Sequence, residues 1–416
     1  MVYKSDWRFN KAVSTRMHID FNSCFARIEQ QANPLIREKP VAVAAYTTPS
    51  GCIVAPSVEA KLKGIKLGMR VREGKTICPD LIVLSPDPDK YRNVHLRLKN
   101  LLLEYTQEVV AKSIDEFVLD MAGYPAYEKG MYCLGKEIKR RIRDEIGEWL
   151  TVSIGIGPNR FLAKQASNLR KPDGLEEINY KNYRRVYSGL KLSDLHGINK
   201  GWKLKLNMLG IYKVTDFYDA RMEKLKTVFK SISAYHWFMR LRGWEVDDVE
   251  FGRKSFGSMY SLPKQFKNLE GLSPILCKMV EKVGRQMRQA GHKTRGLYLG
   301  VLYKDRSFWH KRITLKESLD DSRDIYKRII NLMKGSFKQE PVAKLMISYF
   351  NLTESKSVQL NLFEKNKNKD QLVLAMDKVN DKWREYMIAP AVMGETKKLI
   401  PDSIGFGKIG SLDGFI

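Results

Sequence analysis

Ser113-Ile114-Asp115-Glu116-Phe117-Val118-Leu119-Asp120 sets two adjacent carboxylates in an apolar, β-prone run where an ordinary strand would carry Val, Ile or Leu. Holding such a pair near a core is costly unless a cation compensates it. A second short apolar run, Met17-His18-Ile19-Asp20-Phe21, carries one more acid. Asp20, Asp115 and Glu116 together supply the oxygen donors of a two-magnesium site, the arrangement used for phosphoryl or nucleotidyl transfer. Acids facing water at strand ends are the commoner reading of an isolated Asp-Glu pair. Successive side chains in a regular strand point to opposite faces, so Asp115 and Glu116 share one centre only if the backbone turns or bulges. The sequence therefore predicts a hairpin tip or irregular strand end over 113–116. Asp20 and Asp115 would bridge both ions, the longer Glu116 would reach the ion that activates the attacking hydroxyl, and Phe21 would add its backbone carbonyl.

With 416 residues, the chain is too long for one ordinary core and is expected to form three or four domains. Lys and Arg number 73 against 47 Asp and Glu, a net charge of +26 that favours a polyanionic partner, nucleic acid first. Residues 251–316 alone hold fifteen Lys or Arg against three acids, close to half of the excess, and read as a backbone-binding surface. Five cysteines, Cys24, Cys52, Cys78, Cys133 and Cys277, are widely spaced without a Cys-x-x-Cys pair. That pattern argues against a disulfide framework or zinc site and predicts a reduced, cytoplasmic chain. No apolar stretch reaches about 18 residues and residues 1–16 are polar and charged, so neither a membrane span nor a secretory signal is expected.

After the strand of Asp20, Cys24 to Gln31 is helical in period, and Lys39 to Ala44, Cys52 to Ala55 and Ile82 to Leu84 read as strands of a small mixed module. Helical spacing runs from Tyr91 to Val110 and from Tyr132 to Ile146, on either side of the acidic hairpin, and Thr151 to Ile156 is another strand. The β-α-β-β-α-β order suits a split βαβ sheet with helices on one face. A helix follows from Arg160, and residues 179–245 alternate short helical segments with Gly. Residues 252–350 return to β-rich patterns, at Gly296 to Tyr303, Lys311 to Thr314 and Lys344 to Phe350, around two amphipathic helices, and the polar 365–370 stretch reads as a linker.

At this point several motifs, in order and at matching spacing from Met17 onward, resemble the Y-family translesion DNA polymerases, in their bacterial DinB-type (DNA polymerase IV) and UmuC-type branches. The residues are His18-Ile19-Asp20-Phe21-Asn22-Ser23-Cys24-Phe25, Ser113-Ile114-Asp115-Glu116, Gly155 through Lys164, and Arg170-Lys171-Pro172-Asp173-Gly174. The resemblance implies an α+β multidomain, right-hand polymerase with a ferredoxin-like palm, small fingers, a helix-hairpin-helix thumb and a C-terminal β-α little finger. The expected boundaries are an extension at 1–16, palm at 17–28 and 88–178, fingers at 29–87, thumb at 179–248, little finger at 249–350 and a tail at 351–416. It also implies a monomer that acts on primed template DNA and dNTPs, with Asp20, Asp115 and Glu116 as catalytic ligands of two Mg²⁺.

The resemblance makes Phe25 a steric gate that leaves no room for a ribose 2′-hydroxyl, and makes Lys61 and Lys171 triphosphate contacts. Val58 and Lys61 stand where many DinB-type relatives have Tyr and then Arg, an arrangement closer to the UmuC type, whereas Arg170 to Gly174 is DinB-like. Leu195-His196-Gly197-Ile198-Asn199 resembles the thumb hairpin, where backbone amides with Lys200, Lys203 and Lys205 grip phosphates; Asn199 replaces the second glycine. Gln359-Leu360-Asn361-Leu362-Phe363 resembles the bacterial sliding-clamp-binding peptide, with Gln359, Leu360, Leu362 and Phe363 as its contacts. Three readings follow: an error-prone translesion polymerase recruited by the clamp, a catalytically silent polymerase-like scaffold that binds DNA and clamp, and another two-metal enzyme such as a nuclease or cyclase. Keeping all three acids and Phe25 favours the first, because a scaffold has no need of costly acids.

Overall fold

Apolar and polar residues alternate at Met17, His18, Ile19, Asp20 and Phe21, so a strand here must turn one face to a core and the other to something polar. In the computed structural model this strand, β1 (Arg16–Phe21), lies at the centre of a five-stranded sheet. The structure describes residues 8–248, 252–335, 340–355, 367–383 and 386–398. They fall into two compact units that divide between 248 and 252.

In the first unit β1 leads into α1 (Cys24–Ala32), then a three-stranded module of β2 (Val41–Ala44), β3 (Ile53–Pro56), α2 (Val58–Leu62), α3 (Val71–Ile77) and β4 (Ile82–Leu84). The chain returns through α4 (Pro88–Leu103), β5 (Val109–Ala111), β6 (Glu116–Asp120), α5 (Met131–Arg141), β7 (Val152–Gly157), α6 (Arg160–Ser167) and β8 (Leu175–Glu177). The sheet order is β5-β6-β1-β7-β8, antiparallel except for β7 with β8. Met17, Ile19 and Phe21 join Leu98, Leu102, Leu134 and Ile138 of α4 and α5 in one core, so His18 and Asp20 face the other side. On that side α6 lies so close that a side chain at Gly155 would meet the Ala163 carbonyl at 2.0 Å. The predicted helix from Tyr91 to Val110 stops early. Thr106 Oγ1 donates to the Asp120 carbonyl at 2.7 Å and accepts from Glu108 N, so Val109 enters the sheet as β5 instead.

Five helices, α7 (Tyr183–Gly189), α8 (Lys200–Asn207), α9 (Val214–Asp219), α10 (Met222–Phe229) and α11 (Ser233–Arg240), share a second core of Tyr187, Leu206, Phe217, Phe229 and Trp237. Buried Asn159 ties this bundle to the sheet. Its Oδ1 caps α6 at Leu162 N (2.7 Å), and its Nδ2 donates to the carbonyls of Arg240 and Trp244.

The second unit is an antiparallel sheet, β11-β10-β12-β9, built from β9 (Ser255–Phe266), β10 (His292–Tyr303), β11 (Phe308–Leu319) and β12 (Val342–Glu354). Helices α12 (Leu269–Gln289) and α13 (Ser322–Lys334) share its core. Sequence patterning found β10 to β12 but not β9, an edge strand interrupted by Pro263. The stretch that reads as a linker opens a helix, α14 (Lys367–Trp383). Arg288 of α12 makes two bonds to Asp377 of α14, at 2.6 and 2.9 Å, and Arg285 pairs with Asp381.

Residues 8–16, part of the expected extension, are packed rather than loose. Phe9 is 6% exposed and stacks on Tyr183 at 4.1 Å, while Asn10 N and Nδ2 donate to the carbonyls of Arg242 and Gly243. Phe9→Ala should therefore cost about 3 kcal/mol in denaturant unfolding, as for other buried aromatic truncations, whereas Val13→Ala at an exposed site should be nearly neutral. Equal midpoints for the two variants would show the segment to be a mere appendage.

Candidate active site

Register puts the acids together. Asp20 of β1 pairs directly with Glu116 of β6, so both carboxylates leave the same sheet face, the one that also carries His18. The backbone turns out of the strand at 112–115, so the irregular end expected over 113–116 is found one residue earlier, with Glu116 already in regular β6. Phe21 N donates to the Asp115 carbonyl (3.0 Å), Lys112 N to the Glu116 carbonyl (2.8 Å), and His95 Nδ1 meets the Ile114 carbonyl at 2.8 Å. Asp115, just outside β6, takes a 2.5 Å bond from Ser113 Oγ.

Ligand atoms of His18, Asp20 and Glu116 all lie within 4.8 Å of one another, a donor set able to hold a cation. Asp115 stands beside this group, close enough to interact electrostatically with both acids. Burial first, then the neighbouring Asp20 and Glu116, push the Asp115 carboxyl up to about 6 against the Ser113 bond. Asp20 is also raised, by burial and Glu116, with Lys171 opposing. His18 is 1% exposed, and neither ring nitrogen has a hydrogen-bond partner among the described residues. Burial, Lys164 and Lys171 hold its pKa well below the usual imidazole value, so the ring is neutral and its lone pair available.

Two ammonium groups meet the acids. Lys171 Nζ donates to Asp20 Oδ2 at 2.7 Å, and Lys164 Nζ to Glu116 Oε2 at 2.5 Å. Lys61 of α2 is near enough for its pKa to be lowered, by burial and then by Lys171. Phe25 is buried on α1, its ring stacked on Tyr91 at 4.2 Å and 7°. Tyr91 is itself fixed, its hydroxyl donating to Glu29 Oε1 at 2.9 Å while Lys90 Nζ holds Oε2. Sequence reasoning did not single out His18, Lys164, His95 or Tyr91 as site residues, although His18 and Lys164 lie inside motifs it quoted.

Of the other sequence-predicted residues, Gly197 adopts φ +96° beside Trp237, which only glycine accepts readily. Asn199, which replaces the second hairpin glycine, has an extended backbone. It caps α8, accepting from Trp202 N. Lys200 and Lys203 on α8 have no carboxylate partner among the described residues. Gln359, Leu360, Leu362 and Phe363 lie outside the described residues. No helix among those described is long and apolar enough to cross a membrane.

The raised Asp115 gives a pH-dependent prediction. Its folded-state pKa of about 6 exceeds the ordinary 3.8, so ionising it costs the native state stability as pH rises from about 4 to 6, and the full cost persists above that range. Asp115→Asn should thus stabilise the metal-free protein by about 1–3 kcal/mol at pH 7.5 and by nothing near pH 4, read as unfolding midpoints in EDTA. A gain independent of pH would contradict this account.

The chain matches the profile of the impB/mucB/samB family over residues 19–168 and that of the family's C-terminal domain over 253–362. It is 32% identical over 380 residues to DNA polymerase IV 1 of Bacillus subtilis (strain 168), covering 89% of this chain and 91% of that protein. DNA polymerase IV of Moorella thermoacetica is 30% identical over 382 residues, covering 90% and 94%. Among solved structures, a Y-family DNA polymerase chimera of Dbh and Dpo4 has a TM-score of 0.71 at 23% identity, covering 82% of this chain and 99% of that one. An insertion ternary complex of Dbh DNA polymerase gives 0.56 at 24% identity, covering 82% and 99%. These relatives favour the DinB-type branch left open by Val58 and Lys61. With its carboxylate pairing, its multidomain α+β fold and these relatives, the chain belongs to the impB/mucB/samB family and is a DinB-type, Y-family DNA polymerase.

Proposed function

We infer that this polymerase copies template DNA past damaged bases with low fidelity, adding nucleotides from dNTPs to a primer 3′-hydroxyl, with two Mg²⁺ held by Asp20, Asp115, Glu116 and the Phe21 carbonyl. The observation that carries this reading is the cross-strand pairing of Asp20 and Glu116, each met by a lysine ammonium. Those ammonium groups neutralise oxygen donors that suit divalent cations, and the burial and neighbouring charge that raise Asp115 are what such cations would relieve, so the residues fit the ions. When bound, the ions lower the pKa of the 3′-hydroxyl and neutralise the triphosphate.

The chain's own groups do the rest. The 3′-hydroxyl loses its proton to solvent as its oxygen attacks the α-phosphorus in line, the bond from that phosphorus to the bridging oxygen breaks, and pyrophosphate leaves with the charge it gains. Lys171 and Lys61 supply compact positive charge to the phosphates, so Lys171 exchanges Asp20 for the incoming nucleotide. Phe25, backed by Tyr91, fills the space a ribose 2′-hydroxyl would need. Gly197, Lys200 and Lys203 grip duplex phosphates without reading bases. In this reading residues 17–28 and 88–178 form the palm, 29–87 the fingers, 179–248 the thumb and 249–350 the little finger. Gln359, Leu360, Leu362 and Phe363 dock on the sliding clamp. The insertion ternary complex known for Dbh supports DNA and nucleotide as partners.

Extension of a labelled primer on undamaged and abasic templates tests this. Wild type should extend both, and Asp115→Ala with Glu116→Ala should lose a factor of about 10³ or more. Absence of extension by wild type, with primed DNA still bound, would establish the scaffold reading. In the same assay Phe25→Ala should raise ribonucleotide use relative to dNTP use by about 10²-fold, and an unchanged ratio would remove Phe25 from the gate.

A further inference from the structure

Helix α5 covers the sheet face opposite Asp20, burying Leu134 and Ile138, so its outer stripe lies away from the catalytic face. That stripe carries Tyr132, Lys136, Lys139 and Arg140, the helical turn that follows α5 adds Arg143, and Arg170 approaches from the loop before β8. Together they line an open groove of about 340 Å³. Two acids accompany them. Asp173 takes Lys139 at 3.0 Å, and Asp144 takes Arg140 at 2.9 Å. Lys136, Arg143 and Arg170 have no carboxylate partner among the described residues, and Lys136 Nζ rests 4.9 Å from the ring centroid of Tyr132, itself 52% exposed.

We propose that this groove is a second nucleic-acid site, which takes one unpaired DNA strand in addition to the duplex at the catalytic face. Unpaired cations gathered in one concavity favour a phosphate-bearing ligand. Lys136, Arg140 and Arg143 span about 10 Å of helix, which suits successive phosphates along a strand better than a single compact anion. The exposed ring at one end offers a stacking surface that only an unpaired base can use. The groove adjoins the active site through one loop. Arg170 faces the groove, the next residue, Lys171, reaches Asp20, and Asp173 N donates to Asn22 Oδ1 at 2.8 Å.

The test fills the catalytic cleft of the full-length protein with a saturating unlabelled hairpin primer–template, then titrates a labelled oligothymidylate and follows its anisotropy. Wild type should bind this second strand, and ultraviolet cross-linking should map it to the peptide containing Tyr132. Lys136→Gln with Arg143→Gln should weaken binding at least tenfold and make the plot of log affinity against log salt shallower by about 1.4. Tyr132→Ala should weaken it about tenfold at unchanged slope. Both variants alter exposed side chains, so melting temperature and primer extension on undamaged template should stay at wild-type values. No second strand on the filled wild-type protein, a cross-link elsewhere, or unchanged affinity in the double variant would overturn the proposal. So would inorganic triphosphate competing at the groove with Tyr132→Ala having no effect, since the site would then hold free polyphosphate instead of a strand.

Discussion

Everything at this site follows from pairing Asp20 with Glu116 across two adjacent antiparallel strands. Directly opposed side chains lie within about 5.5 Å, so two carboxylates there repel unless positive charge reaches them. The fold supplies that charge from two elements, Lys164 on α6 and Lys171 on the loop before β8. Asp115 takes a hydrogen bond from Ser113, and burial first, then its two acidic neighbours, raise its pKa. The three acids are thus unequal in the resting molecule. Two are met by lysine ammonium groups, and the third is poised between its charged and neutral forms near pH 6.

The surrounding structure serves to keep these charges close. Gly155 lets α6 approach the sheet face, since any side chain there would collide with the helix backbone. That approach brings Lys164 to Glu116, and the next residue, Gln165, holds the following bundle through the Asp194 carbonyl and His196 N. Asn159 caps the same helix while binding the end of α11, Asn10 pins that end from the N-terminal side, and Phe9 stacks on Tyr183 of α7. Cation placement and attachment of the helical bundle are therefore one mechanical problem, solved by a single short helix and its cap.

The acids were legible in the sequence because carboxylates are unusual in apolar strands, and the bend at 113–115 followed from requiring both to face one centre. The alternation in β1 and the glycine and proline punctuation gave most of the sheet. Other features depend on tertiary register, which spacing does not encode. Nothing local says that Lys164 rather than Lys139 reaches Glu116, that Tyr91 slides under Phe25, or that His95 turns to the Ile114 carbonyl. The end of α4 was misplaced because Tyr105 continues the helical period, while Thr106 hydrogen-bonds across to β6 and stops it. β9 was missed because Pro263 and flanking polar residues mask a strand that needs partners on one edge only.

The same arrangement explains why activity and stability should oppose each other here. A carboxyl with a native pKa near 6 is ionised at neutral pH only at a cost, and that cost disappears if Asn replaces it. Lysines on Asp20 and Glu116 limit the penalty at two positions, and in the proposed reaction they would also have to give way to phosphate and cations. Too strong a clamp would block substrate, and too weak a clamp would leave bare buried acids. Lys171 meets both demands by its position. Its side chain is 37% exposed and it sits in a loop, whereas Lys164, at 18% and within a helix, is more enclosed. In the proposed reaction the more exposed Lys171 is therefore the one placed to turn from Asp20 to the nucleotide, while Lys164 stays with Glu116.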